Sequence, residues 1–428
     1  MQLSRTVLVK QHFPDRRLVD IAGEVRRQLR SSELGAALKP GARVAVGVGS
    51  RGITDLPVIV RAVIDYWKEA GMHPFIFPAM GSHGAATAQG QKDVLEHYKI
   101  TEATMGCPVI SHLDVVDLGA TEVGLHAFMD QNAYQSDGVM LIGRVKWHTD
   151  FAGKIESGLF KMMAIGLGKF AGAENYHTHA YNIGLENVIR NVGRKVLASG
   201  KILGGLAILE DANHHTGQLT AVGVDNMETR EEELLALVKS WMGHVPAALD
   251  ILILDEIGKN ISGAGMDTKV ANRSVQGEYN PWPNTPKFKR IMVRDLSDNT
   301  YGNAVGIGMA DIIHARILPQ IEWTPTRINS LTASTPAAIR LPISYATDQQ
   351  CVEAMAKTVG KTDMSQVTIG RIRNTLELGL IEMTENLLPV IRENSSLEVI
   401  SSPAPIAFTE QGDFPSKLPR PHGEPGKH

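Results

Sequence analysis

Cysteine is nearly absent. Cys107 and Cys351 are the only two in 428 residues, too few for a disulfide framework, and such usage fits a reducing compartment. No run of about 18 apolar residues occurs, which argues against a membrane-spanning segment. The opening "MQLSRTVLVKQHF" has no sustained apolar stretch of the signal-peptide kind. Neither charge sign dominates: 43 Lys and Arg face 46 Asp and Glu, a formal net charge of −3, with no basic patch to suit a nucleic acid. Internal repeats and low-complexity tracts are also missing. These absences lead to the expectation of a cytoplasmic protein with neither membrane nor nucleic acid as partner.

What is present is an ordinary globular composition, 43% hydrophobic and 21% charged, long enough for two domains. "RVAVGV", "HPFIFPA", "PVISHLDVV", "DGVMLIGRV" and "ILGGLAILED" read as strands. "DLPVIVRAVIDYWKEAG", "TAQGQKDVLEHY", "IGLENVIRNVGRKVLASG" and "TREEELLALVKSWM" read as helices. In the first of these helices, Leu56, Ile59, Val60, Val63, Ile64 and Trp67 share one face, and Gly71 suits a C-terminal cap. Strand and helix alternate, which predicts an α/β fold of two domains with mostly parallel sheets and a ligand cleft between them. After a break at residues 243–246 the pattern restarts with "ALDILILDEIG", and "KRIMVRDL", "QQCVEAMAKTVG", "QVTIGRIRN" and "SLEVISS" continue it. The expected division is residues 1–245, residues 246–410, and a flexible Pro-, Gly- and Lys-rich tail over residues 411–428.

Chemistry-bearing residues gather at the ends of the apolar runs. "GVGSRG" has glycines at 47, 49 and 52 in the dinucleotide spacing, but the following strand ends without the acidic residue that a nicotinamide site needs. The turn is better suited to letting Arg51 and backbone N–H groups face an anion. His83 in "GSHG" and His148 in "KWHTDF" each follow a strand, and the bland alternative for His83 is a solvated turn. Two imidazoles at one sheet edge can exchange protons with opposite faces of a single carbon or hydroxyl. Lys154, Lys161 and Lys169 follow among glycines 153, 158, 166 and 168. No Gly-Lys-Ser/Thr occurs there, so this is not a Walker A loop, and most lysines are simply solvated. His177 and His179, two apart, would share a face on an extended segment, suggestive of a metal ligand. His214 and His215 read as a solvated turn. In the second domain Glu256, Lys259 and Lys269 decorate a glycine-rich loop, either a mobile surface loop or a carboxylate clamp.

Together these residues resemble the lactate racemase family, enzymes that use a nickel pincer nucleotide. His83 and His148 match its acid/base histidines, Lys161 the lysine bound to the cofactor through a thioamide, and His177 the axial nickel ligand. The 16-residue interval from Lys161 to His177 agrees with the family's. Arg51 is similar to an arginine kept near the cofactor and substrate, and Lys269 resembles the carboxylate-binding lysine. Val48 stands where the family has an aspartate and Met266 where it has a glutamine. One extra residue precedes the Ala-Gly after His148, and the loop to the lysine is longer, so Lys154 stays a rival for the cofactor.

The resemblance implies a racemase or epimerase acting on a 2-hydroxy acid other than lactate by proton-coupled hydride transfer. It implies a lysine-tethered nickel pincer nucleotide (pyridinium-3-thioamide-5-thiocarboxylic acid mononucleotide) with Ni, and partner enzymes that mature it. Homo-oligomerisation is left open. Three other readings stand beside it: a zinc-type metallohydrolase using His83, His148 and His177, an NAD(P)-dependent oxidoreductase resting on "GVGSRG", and a non-catalytic protein that binds a small acid.

Overall fold

The computed structural model describes residues 2–49 and 52–420. In chain order its strands are β1 (Thr6–Gln11), β2 (Arg43–Val48), β3 (His73–Pro78), β4 (Val115–Ala120), β5 (His126–Asp130), β6 (Gly138–Arg144), β7 (Ile202–Glu210), β8 (Thr216–Val222), β9 (Leu249–Leu254), β10 (Phe288–Val293), β11 (Ile312–His314), β12 (Ile343–Tyr345), β13 (Ile369–Ile372), β14 (Leu380–Thr384) and β15 (Leu397–Val399). The chain divides into two compact units, Pro14–Met242 and Met1–Phe13 with Gly243–His428. The first thirteen residues therefore belong with the second unit, whereas the sequence placed them in the first. Their β1 pairs antiparallel with β14 and β15, bringing Val7 opposite Met383 and Val9 opposite Val399.

The unit Pro14–Met242 is built on a five-stranded sheet, order β3-β2-β6-β7-β8. Its first three pairings are parallel and the last antiparallel, while β4 and β5 form a separate antiparallel pair. The inner strands read as near-continuous apolar runs because both faces are covered. Val44, Val46, Met140 and Ile142 pack with the expected face of helix Leu56–Glu69 on one side. Ala45, Val139 and Leu141 pack on the other with Val188, Ile189 and Leu234, from helices Leu185–Leu197 and Met227–Lys239.

The other unit carries an eight-stranded sheet, order β12-β11-β10-β9-β13-β14-β1-β15. The block β12-β11-β10-β9-β13 is parallel, and the remaining pairings are antiparallel. Both sheets mix directions, with parallel pairs in the majority. The expected flexible tail is a correction over residues 411–420. Phe414 and Leu418 are buried, and Leu418 N–H donates to Asp255 Oδ2. Residues 421–428 lie outside the described residues. No described helix is long and apolar enough to cross a membrane.

Candidate active site

Strand order brings the two histidines to one edge. β3 and β6 both run parallel to β2, which lies between them. The chain therefore leaves β3 toward His83, β6 toward His148 and β2 toward the glycine turn all at the same carboxyl edge, where open α/β sheets carry ligands. Two strand spacings put the exits of β3 and β6 about 10 Å apart. His83 is exposed and extended (φ −63°, ψ 167°), just before the short turn Gly84–Ala86. The turn is held from below by buried Gln91, whose Nε2 donates to the carbonyls of Gly81 (2.7 Å) and His83 (3.3 Å).

His148 is buried, and its ring lies against Phe151 with centroids 4.8 Å apart. The Asp150 backbone N–H donates to His148 Nδ1 at 3.0 Å. That lone pair is thereby taken, so the neutral ring carries its proton on Nε2. The His148 backbone N–H donates to Glu156, which fixes the turn independently of the imidazole.

Lys161 ends the short helix Leu159–Lys161, and a wider helical turn, Met162–Gly166, continues from it. This segment packs against both histidine-bearing exits. At the His83 exit, Gly81 has φ +60° and a Cβ there would stand 3.0 Å from Ile165 Cγ2, while Gly81 N–H points to the Gly166 carbonyl at 3.4 Å. At the other exit, a Cβ on Gly143 would meet Met162 Sδ at 2.5 Å. The three lysines separate cleanly in this setting. Lys154 is exposed and Lys161 half-buried. Lys169 is buried, in an ion pair with Asp130 at 3.0 Å and donating to the Pro78 carbonyl at 2.5 Å.

Three carboxylates that sequence reasoning missed hold the backbone between His148 and Lys161. Glu156 accepts from His148 N and Gly153 N and pairs with Lys239. Glu186 accepts from Lys154 N and Ile155 N, both at 3.1 Å. Glu231 accepts from Phe160 N at 3.0 Å, at the start of the helix that carries Lys161, where a carboxylate suits unpaired N–H groups. Only Glu231 left a trace in the sequence: it falls on the buried stripe of its helix with Met227, Leu234, Leu235 and Val238.

Glu231 makes a pH prediction. Burial pushes its carboxyl from 4.5 up to about 7, against the lowering effect of the N–H groups of Phe160 and Leu159. Between those two values the folded chain keeps a proton that the unfolded chain releases. The site's stabilising contribution is therefore full below the unfolded value and is lost as pH rises through the folded one. Glu231→Gln cannot titrate. Its stability relative to the wild type should rise by about 2–3 kcal/mol between pH 5 and 8. Urea unfolding at the two pH values reads this, and a difference that does not change with pH would refute it.

The remaining candidates are scattered. Arg51 lies outside the described residues, as does the side chain of His177. Positions 177 and 179 fall within the helix Lys169–Ile183, not on an extended segment, so they stand about 200° apart around its axis and share no face. His215 lies beside Asp15 and Asp211 with Arg17 against its ring. His314, Asp348 and Asp413 form a second cluster, with Arg316 on His314 and Asp413. Neither cluster includes His83 or His148. In the other unit Lys269 is buried in the short helix Thr268–Ala271, its Nζ 4.8 Å from the centre of the Trp282 ring. Lys259 donates to the Gly263 carbonyl within its own loop at 2.8 Å, and Glu256 pairs with Lys417 at 2.7 Å.

No family model matches this chain, and no curated protein sequence matches it. Among solved structures it is similar to the lactate racemase apoprotein from Thermoanaerobacterium thermosaccharolyticum, at 12% sequence identity and a TM-score of 0.51, over 87% of this chain and 98% of that one. At that identity the likeness is one of architecture: this chain shares the fold of that lactate racemase apoprotein.

Proposed function

We propose that this protein is a racemase or epimerase of a 2-hydroxy acid that works with a nickel pincer nucleotide attached to Lys161. The observation that supports the reading is the packing of the segment Leu159–Gly166, which carries Lys161, against the ends of the strands that lead to His83 and His148. Among the described residues, the lysines bear on where such a group would attach. A covalent tether needs an amine on the segment that packs at the strand exits. Lys169 is consumed by Asp130, Lys154 stands on an exposed part of the loop, and Lys161 is half-buried in the packed segment. His177 takes the role of nickel ligand from the resemblance, and imidazole with sulfur is a donor set that nickel accepts.

When bound, the group would accept the Cα hydride and return it to either face. The chain's own residues would handle the protons. For one enantiomer neutral His83 would take the hydroxyl proton, and His148 as imidazolium would supply a proton to the substrate oxygen from the other face. The opposite enantiomer uses the two in exchanged roles. The resemblance gives Arg51 and Lys269 the role of binding the substrate carboxylate. Met266, buried where a glutamine is expected from the resemblance, offers no hydrogen-bond donor, which changes substrate preference by about 1–3 kcal/mol.

The test is the intact mass of the chain after expression with the cofactor-making enzymes. An adduct should form on the wild type and on Lys154→Arg but not on Lys161→Arg. An adduct that follows Lys154 would reassign the residue, and no adduct on any chain would remove the cofactor from the reading.

A further inference from the structure

We infer that the carboxyl edge of the parallel strands in the second unit is a peptide-binding groove, filled in this structure by the chain's own residues 413–420. Four parallel strands end there, β9 before Asp255, β10 before Arg294, β11 at His314 and β13 before Arg373. This is the edge at which open α/β sheets bind ligands, and here a stretch of backbone occupies it.

The contacts are those of peptide recognition. Main-chain groups of the segment are met one by one: Phe414 N–H donates to Asp348 Oδ2 at 2.9 Å and Leu418 N–H to Asp255 Oδ2 at 2.6 Å. Arg371 donates to the Ser416 carbonyl, and Arg373 donates to that of Leu418 at 2.8 Å. Side chains are read as well. The Phe414 ring has the guanidinium of Arg294 at 4.8 Å and that of Arg371 at 4.2 Å, a desolvated cation–π arrangement. Lys417 meets Glu256 at 2.7 Å. Part of the groove is held by bonds outside the segment: buried Asp255 pairs with both arginines, at 2.5 and 2.8 Å. Its ligand class is an extended peptide with an aromatic residue and a basic one three positions later. A small anion would be repelled by Asp255, Asp348 and Glu256.

Seating also reaches the loop that ends at Lys269. Glu256 accepts from Asn374 at 3.0 Å, and the adjacent Thr375 hydroxyl accepts from Asp267 N–H at 2.8 Å. Any effect on substrate binding through Lys269 rests on the functional reading above; peptide binding does not.

The experiment uses the full chain without substrate or cofactor, so it stands or falls separately from the racemase reading. The variant Phe414→Ala with Lys417→Ala loosens the segment. A fluorescent peptide of residues 411–420 should bind this variant saturably and should not bind the wild type, whose groove is filled. A peptide carrying Phe414→Ala should bind at least about tenfold more weakly, as expected on losing a buried aromatic anchor. Absence of saturable binding to the folded variant overturns the inference. If the variant does not fold, amide exchange on the wild type decides. A seated ligand opens by itself, so the amides of Phe414 and Leu418 should exchange together and ahead of those of Ile251 to Leu254. Exchange only with global unfolding would show an integral part of the core and overturn the proposal.

Discussion

His148→Ala should lower racemisation by about a hundredfold to ten-thousandfold, the range that a positioned acid–base group supplies, and should leave the fold in place. The two effects separate because the turn and the ring are held by different bonds. Alanine keeps the backbone N–H that donates to Glu156, and Glu156 stays paired with Lys239. What is lost is the ring packed on Phe151 and the acceptor for the Asp150 N–H, a stability cost of about 1–3 kcal/mol. Cofactor attachment at Lys161 should persist, since the helix Leu159–Lys161 is held by Glu231 and not by His148. Chiral analysis of a panel of 2-hydroxy acids with the loaded enzyme gives the activity, and circular dichroism with intact mass gives the controls. Near-normal turnover in a loaded variant would end the assignment of His148 as an acid–base group.

The parts of this site that could be read from the sequence are those fixed by local pattern. An apolar run followed by a glycine turn announces a strand exit, and both His83 and His148 stand just past one. Parallel pairing of β3, β2 and β6 then follows from the helices between them. The three carboxylates could not be found this way. Glu156, Glu186 and Glu231 act on backbone N–H groups chosen by tertiary packing, and acidic residues on helices are ordinarily solvated. The helix Lys169–Ile183 was hidden for another reason: in "KFAGAENYHTHAYNI" the apolar stripe of Ala173, Tyr176, Ala180 and Ile183 is thin and interrupted by small and polar residues. Pro, Gly and Lys in residues 411–420 have the composition of a loose tail. That composition also suits an extended segment whose carbonyls and N–H groups find partners elsewhere, and only the groove of Asp255, Arg371 and Arg373 distinguishes the two. β1 met a similar limit, since its partner strand β14 lies at the far end of the chain.

Lys169→Met should cost about 3–5 kcal/mol, the penalty for leaving a buried partner charge uncompensated. Burial lowers the pKa of Lys169, and Asp130 opposes that shift. The ammonium lies 3.0 Å from Asp130, itself buried, and donates to the Pro78 carbonyl and to Gln91 Oε1. Methionine fills much of the volume but leaves Asp130 and the Pro78 carbonyl without that donor. The damage should reach His83, because the same Gln91 holds the carbonyls of Gly81 and His83. Asp130→Asn removes the orphaned charge while its Oδ1 can still accept from Ala133 N–H. The double variant Lys169→Met with Asp130→Asn should therefore lose less than the sum of the two single losses, with a coupling of about 1 kcal/mol or more. Urea unfolding of the four chains measures that coupling. Strictly additive losses would mean that the ion pair contributes nothing of its own, and a Lys169→Met chain as stable as the wild type would remove this lysine as the anchor of the His83 turn.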